Sequence, residues 1–153
     1  AAAEKGHYDT MMALFDYDAY PGIEGPGRRT ALYSAAQNGH LRVVRLLLQK
    51  SASPDRWFNS KHSPLGEAWK KGHQEVVQLL LSYGARVDKP DGVGGTLLGH
   101  ACQGQYDPEF VRLLLRHGAN VRLKDGYGRT PLQIAKESGQ EEIAQILLEH
   151  GAE

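Results

Sequence analysis

The chain is poor in several things that would have pointed to chemistry. It has one cysteine, Cys102, in 153 residues, so no internal disulfide can form, and that usage leads us to expect a reducing, intracellular compartment. No apolar run approaches the ~20 residues that cross a bilayer as a helix, so no membrane partner is expected. Net charge is absent too, since 18 Lys and Arg balance 18 Asp and Glu. Wholesale attraction to nucleic acid is therefore not expected. Aromatic residues make up only 8 % of the chain, which leaves the core to aliphatic side chains. What is present is ordinary for a folded domain: 41 % hydrophobic and 24 % charged residues, outside the composition of disordered chains.

Catalytic and metal-binding patterns are also missing. Of the 7 histidines, His7, His40 and His73 each follow a turn glycine at constant spacing. His117 and His150 precede Gly-Ala pairs at helix ends, where a cation suits the negative helix terminus. His100 and Cys102 are two apart, so on a helix they face different directions, and no further ligands are spaced for a metal. The sequence Asp91-Gly92-Val93-Gly94-Gly95 is glycine-rich, but it has neither the strand–helix frame nor the Lys-Ser/Thr pair of a phosphate loop. No catalytic residue, cofactor or metal is expected.

The positive signal is a period. Thr30-Ala31-Leu32, Ser63-Pro64-Leu65, Thr96-Leu97-Leu98 and Thr130-Pro131-Leu132 recur at intervals of 33, 33 and 34 residues. Ala35, Ala68, Ala101 and Ala135 follow in register, and the apolar triplets at 46–48, 79–81, 113–115 and 146–148 come after them. Each unit reads as helix, turn, helix, loop. The Thr or Ser caps the first helix, and Pro64 and Pro131 take its first position, where no donor is lost. Gly39, Gly72 and Gly139 stop that helix, and Gly84 and Gly118 stop the second. Two short helices bury too little apolar area alone, so neighbouring units must cover one another.

Gly128-Arg129-Thr130-Pro131-Leu132, Asn38-Gly39-His40 and Arg116-His117-Gly118-Ala119-Asn120-Val121 resemble the consensus of the ankyrin repeat family, and the resemblance spans nearly the whole chain. It implies an all-α ankyrin-repeat solenoid of stacked antiparallel helix pairs with β-hairpin-like fingers. The expected organisation is a single domain over 1–153, with a truncated repeat at 1–24, repeats at 25–57, 58–90 and 91–124, and a C-terminal capping repeat at 125–153. Lys136, Glu141 and Glu142 give the last unit the more polar outer face a cap needs. The first unit lacks its opening hairpin, so excision from a longer protein is expected. Tyr33 takes a position often held by histidine in this family and is read as structural.

The individuality of the chain lies in charge and rings. Residues 26–61 carry a net charge of +6 although the whole chain is neutral. The resemblance implies that finger tips and first helices line one concave face. Arg28, Arg29, Arg56 and Lys61 would then share it with Lys70 and Lys71. Trp57 and Phe58 stand at the second finger tip, beside His62. Trp69 replaces the small residue seen at Ala36 and Cys102, and Tyr127 stands on the last finger. Exposed rings beside cations suit an anchor for a partner. The expected partner-binding set is Arg28, Arg29, Trp57, Phe58, Lys61, His62, Trp69, Lys70, Lys71 and Tyr127. The expected function is non-catalytic binding of a protein or peptide, acidic in character, by a monomer. The alternative is an accessory domain packing against another part of a larger enzyme or receptor.

Overall fold

The helices that follow Thr30, Ser63, Thr96 and Thr130 each start where the Ser or Thr oxygen stands in for the carbonyl that a preceding turn would have supplied. The computed structural model describes residues 1–25, 27, 29–56, 63–92, 94–104 and 107–153. Among them the chain forms α1 (Ala2–Lys5), α2 (Tyr8–Asp16), α3 (Ala31–Gln37), α4 (Leu41–Gln49), α5 (Pro64–Lys70), α6 (Gln74–Ser82), α7 (Leu97–Gln103), α8 (Pro108–Arg116), α9 (Pro131–Glu137) and α10 (Glu141–Glu149). Thr30, Ser63, Thr96 and Thr130 accept the N–H of Tyr33, Gly66, Gly99 and Gln133 at 3.1, 2.9, 3.1 and 3.3 Å. At α9 the Gln133 side chain accepts the Thr130 N–H in return at 2.8 Å, which completes a capping box. Replacing such a cap by Ala typically costs about 0.5–2 kcal/mol.

The first helices of the pairs from α3 onward have seven residues and the second helices nine. Gly39 and Gly72 turn the chain between them with φ near +73° and +77°, a left-handed conformation that costs a side-chain-bearing residue energy. The same conformation ends α4 at Ser51 (φ +65°) and α2 at Asp18 (φ +58°), where the later second helices use glycine. The long turn before α8 is closed by Asp107, whose carboxylate accepts the Glu109 N–H at 2.9 Å, with Pro108 at the first helical position. Gln105 and Tyr106, which belong to that insertion, lie outside the described residues.

Contacts divide the chain into two compact units, 1–85 and 86–153. In the first, α1, α3 and α5 pack side by side as one layer and α2, α4 and α6 as the other. Leu32, Val43, Val44, Leu47, Leu65, Val76, Val77 and Leu80 are buried between them, and each such side chain contributes about 1.5–3 kcal/mol through its removal from water. Histidines fix the spacing of successive pairs. His40 Nε2 donates to the Glu4 carbonyl at 2.8 Å, and His73 Nε2 to the Gln37 carbonyl at 3.2 Å. Each ring sits so close to the preceding turn glycine that a Cβ on Gly6 or Gly39 would fall 2.7 or 2.6 Å from it.

In the second unit α7 packs on α9 and α8 on α10, around buried Leu98, Val111, Leu114, Leu132, Ile143, Ile146 and Leu147. Lys136 is exposed, whereas Ala36 and Cys102 at the corresponding positions are fully buried. The described fingers close as tight hairpins. Gly25, Asp91 and Asp125 donate their N–H to the carbonyls of Arg29, Gly95 and Arg129, four residues on in each case, at 2.8, 2.8 and 2.9 Å. Among the described residues this ladder extends only to one antiparallel bridge, between Glu24 and Thr30.

Candidate partner-binding face

The first unit builds its candidate site on the layer of α1, α3 and α5 and the finger before it. Arg29 is exposed and lies 5.8 Å from the centre of the Tyr33 ring, within cation–π range. Tyr33 itself is buried, as a structural residue should be. Burial, and then the charge of Glu67, push its phenol above the ordinary value, with Arg29 acting in the opposite direction. Gln37 Nε2 approaches the Tyr33 hydroxyl at 3.5 Å and donates to Glu67 Oε2 at 3.0 Å. Glu67 is buried, so this polar chain ties α3 to α5 from within.

Trp69 sits near the end of α5, half-buried, with Lys70 and Lys71 exposed directly after it. Its counterparts one repeat away, Ala36 and Cys102, are enclosed completely. A tryptophan is too large for that space, so part of the indole remains at the surface. Arg29 precedes α3 and Trp69 to Lys71 close the adjoining α5, which places this part of the expected set on one layer.

Arg56, one of the finger cations but not part of the expected partner-binding set, donates through Nε and Nη2 to Glu24 Oε1 at 3.2 and 3.1 Å. It bridges two successive fingers and its charge is largely answered within the unit. Arg28, Trp57, Phe58, Lys61 and His62 lie outside the described residues.

The second unit holds Tyr127 on its finger, 82 % exposed. Asp125 organises that finger. One of its oxygens accepts the N–H groups of Tyr127 and Arg129, both at 2.9 Å, and the other accepts the Arg129 guanidinium at 3.0 and 2.8 Å. Arg129 reaches Glu137 Oε2 at 2.9 Å and lies 5.3 Å from the Tyr127 ring centre. The Arg129 backbone N–H, then its side chain and the Tyr127 N–H, hold the Asp125 carboxyl below its ordinary value against a smaller desolvation effect. The hydrogen bonds from Arg129 to Asp125 and then to Glu137 raise the Arg129 guanidinium. Asp91 plays the same part in the preceding finger, accepting the Gly95 N–H at 2.9 Å and facing His100 Nε2 at 2.8 Å. Sequence reasoning missed both latches. The available signal was an Asp-Gly-x-Gly pattern opening each finger, at 91 and 125.

An open apolar cleft of about 670 Å³ lies between α1, α2 and the first finger, lined in part by Met11, Leu14, Phe15, Tyr20 and Ile23. Leu14, on the wall of this cleft, is 45 % exposed, whereas Leu47 and Leu80 in the same register are buried.

Among the described residues no three His, Cys, Asp or Glu side chains are grouped to hold a metal ion, and no helix is long and apolar enough to cross a membrane. Cys102 is fully buried, and burial pushes its thiol up to about 12, far from the thiolate form that nucleophilic chemistry uses.

A search of curated proteins finds no match to this chain. A family model described as ankyrin repeats (3 copies) matches residues 1–91 and again 87–153. Ankyrin repeats are generally protein–protein interaction modules and typically non-catalytic. Matched over its whole length, with capped helix pairs in both units and histidine-pinned turns in the first, the chain belongs to the ankyrin repeat family and has its all-α solenoid fold.

Proposed function

We propose that this chain is a non-catalytic module that binds an acidic peptide or protein segment on its fingers and first helices. Trp69 carries the reading. It breaks a register of small enclosed residues, leaves indole surface in contact with solvent, and is followed by two exposed lysines. Partly exposed aromatic anchors flanked by charge have the composition of interface hot spots. The lysines and Arg29 supply a field that speeds the approach of an anionic segment. On the sequence alone, Arg28, Trp57, Phe58, Lys61 and His62 extend this surface over the second finger. A rigid repeat scaffold loses little side-chain freedom on association, which favours affinity. No cofactor takes part, and the working form is a monomer in an intracellular compartment.

Calorimetric titration with a Glu-rich 15-residue peptide containing one leucine, against its Gln-substituted counterpart, tests this. The acidic peptide should bind more tightly at low salt, and Trp69→Ala should weaken it by about 2 kcal/mol, roughly thirtyfold. Lys70→Glu with Lys71→Glu should slow association and reduce its salt dependence. Equal affinity for the two peptides, or indifference to Trp69→Ala, would refute the reading.

A further inference from the structure

The outer layer of the first unit breaks a rule that the other second helices obey. α2, α6, α8 and α10 open with an acid in the first turn: Asp9, Glu75, Glu109, and Glu141 with Glu142. A carboxylate there complements the partial positive charge of the helix N-terminus. α4 has none and carries Arg42 at the equivalent place. Arg45 lies one turn further on. In α8 the matching arginine, Arg112, is answered by Glu109 at 3.2 Å, and Arg116 lies 3.6 Å from the same carboxylate. In α4 the acid is exchanged for a second cation, so Arg42 and Arg45 form a like-charged pair at a spacing that repels. Both are exposed.

The surroundings hold these charges out rather than neutralising them. The Arg42 guanidinium lies 4.5 Å from the centre of the Tyr8 ring, and the Lys50 ammonium 5.8 Å from the Phe15 ring. Both rings belong to α2, the neighbouring helix of the same layer. Among the described residues no carboxylate forms an ion pair with Arg42, Arg45 or Lys50. Stacking on a ring leaves a guanidinium's edge donors directed outward and limits its motion. A helix that accepts a misplaced charge and a repulsive pair sacrifices local stability, and such breaches of local preference concentrate at functional surfaces.

We infer that the exposed face of α4, with Arg42, Arg45 and Lys50, is a second docking surface that takes a carboxylate-rich segment of a partner protein. The occupant follows from charge complementarity: α4 presents three cations, Arg42 and Lys50 each over a ring of α2 and Arg45 beside them, and no acid of its own. It goes beyond the binding reading above, because it uses the opposite layer of the unit and none of the same residues.

The test separates the two surfaces. In the full chain carrying Trp69→Ala, Lys70→Glu and Lys71→Glu, the Glu-rich peptide should still bind, and adding Arg42→Glu and Arg45→Glu should weaken that residual binding at least tenfold. Arg42→Glu alone recreates the acid-first pattern of α8. It should weaken residual binding severalfold while leaving the thermal midpoint unchanged or higher, a combination that a purely structural Arg42–Tyr8 contact would not produce. Loss of all peptide binding in the first variant, or residual binding indifferent to Arg42→Glu, would overturn the inference. So would tighter residual binding of a 15-nucleotide single-stranded DNA than of the peptide, since it would assign the face to another class of partner. The inner-face reading fails separately, if the first three substitutions leave peptide affinity as it is in the unsubstituted chain.

Discussion

Gly39 and Gly72 have nearly the same backbone conformation but different surroundings, and substituting each by Ala isolates what the histidine contact contributes. At Gly72 nothing lies within 4 Å of an added Cβ. The cost there is the left-handed conformation, roughly 1–2 kcal/mol, offset by about 0.4–1 kcal/mol because alanine restricts the unfolded chain. A net loss of about 1 kcal/mol is expected. At Gly39 the Cβ would stand 2.6 Å from His73 Nδ1 and 2.7 Å from Cε1, closer than any stable contact, so the ring must move. Its bond to the Gln37 carbonyl then goes as well, worth about 0.5–1.5 kcal/mol. Gly39→Ala should therefore cost about 1.5–2.5 kcal/mol in total. Urea unfolding followed by both far-UV dichroism and tryptophan fluorescence measures the difference, with coincident transitions as the check on two-state behaviour. In a His73→Ala background the penalty at Gly39 should fall to that at Gly72, leaving a coupling of about 1 kcal/mol. Equal costs at the two glycines, or additive effects of Gly39→Ala and His73→Ala, would refute the claim that the ring pins one helix pair to the next.

Three further outcomes follow from single residues. Ser51→Gly should stabilise the chain by about 0.5–1 kcal/mol in the same assay, because it relieves a left-handed serine at the end of α4 at the expense of a freer unfolded chain. Asp125 has a depressed carboxyl in the folded state, so its contribution to stability is complete above the unfolded carboxylate range and is lost as pH falls through the folded value. Asp125→Asn should flatten the acid limb of a stability–pH profile, and an unchanged limb would contradict the latch assignment. Cys102 should resist a thiol reagent such as Ellman's at pH 8 under native conditions and react at the rate of chain opening. Rapid stoichiometric labelling would show that its pocket is not closed.

The parts of the molecule governed by neighbouring residues in the chain were legible in the sequence. A Thr or Ser three residues before the N–H it accepts, a proline at the first helical position and a glycine after the last turn act within one stretch of backbone, and α3, α5, α7 and α9 begin as those signals require. Tyr33 was placed correctly because its register alone puts it in the core. Contacts that cross repeats were harder. His40 and His73 could be seen to recur, but not that each reaches a carbonyl of the turn before. The charge of Arg56 is visible in the sequence, whereas its pairing with Glu24, 32 positions away on another finger, is not. Of the cations in the +6 segment, the sequence assigns Arg28, Arg29, Arg56 and Lys61 to the fingers and gives no place to Arg42 and Arg45, which lie on α4 in the layer opposite α1, α3 and α5. Size and register single out Trp69 in a row of alanine and cysteine, but leave open whether the ring wedges between helices or faces solvent; packing makes it half-buried.

The indole N–H resonance of Trp69, followed in ¹H–¹⁵N spectra as the Glu-rich peptide is added, tests the binding account most directly. A saturable shift of that resonance, with the backbone signals of Lys70 and Lys71 moving along the same isotherm, is the predicted result. Calorimetric binding that leaves the Trp69 indole unmoved would contradict it.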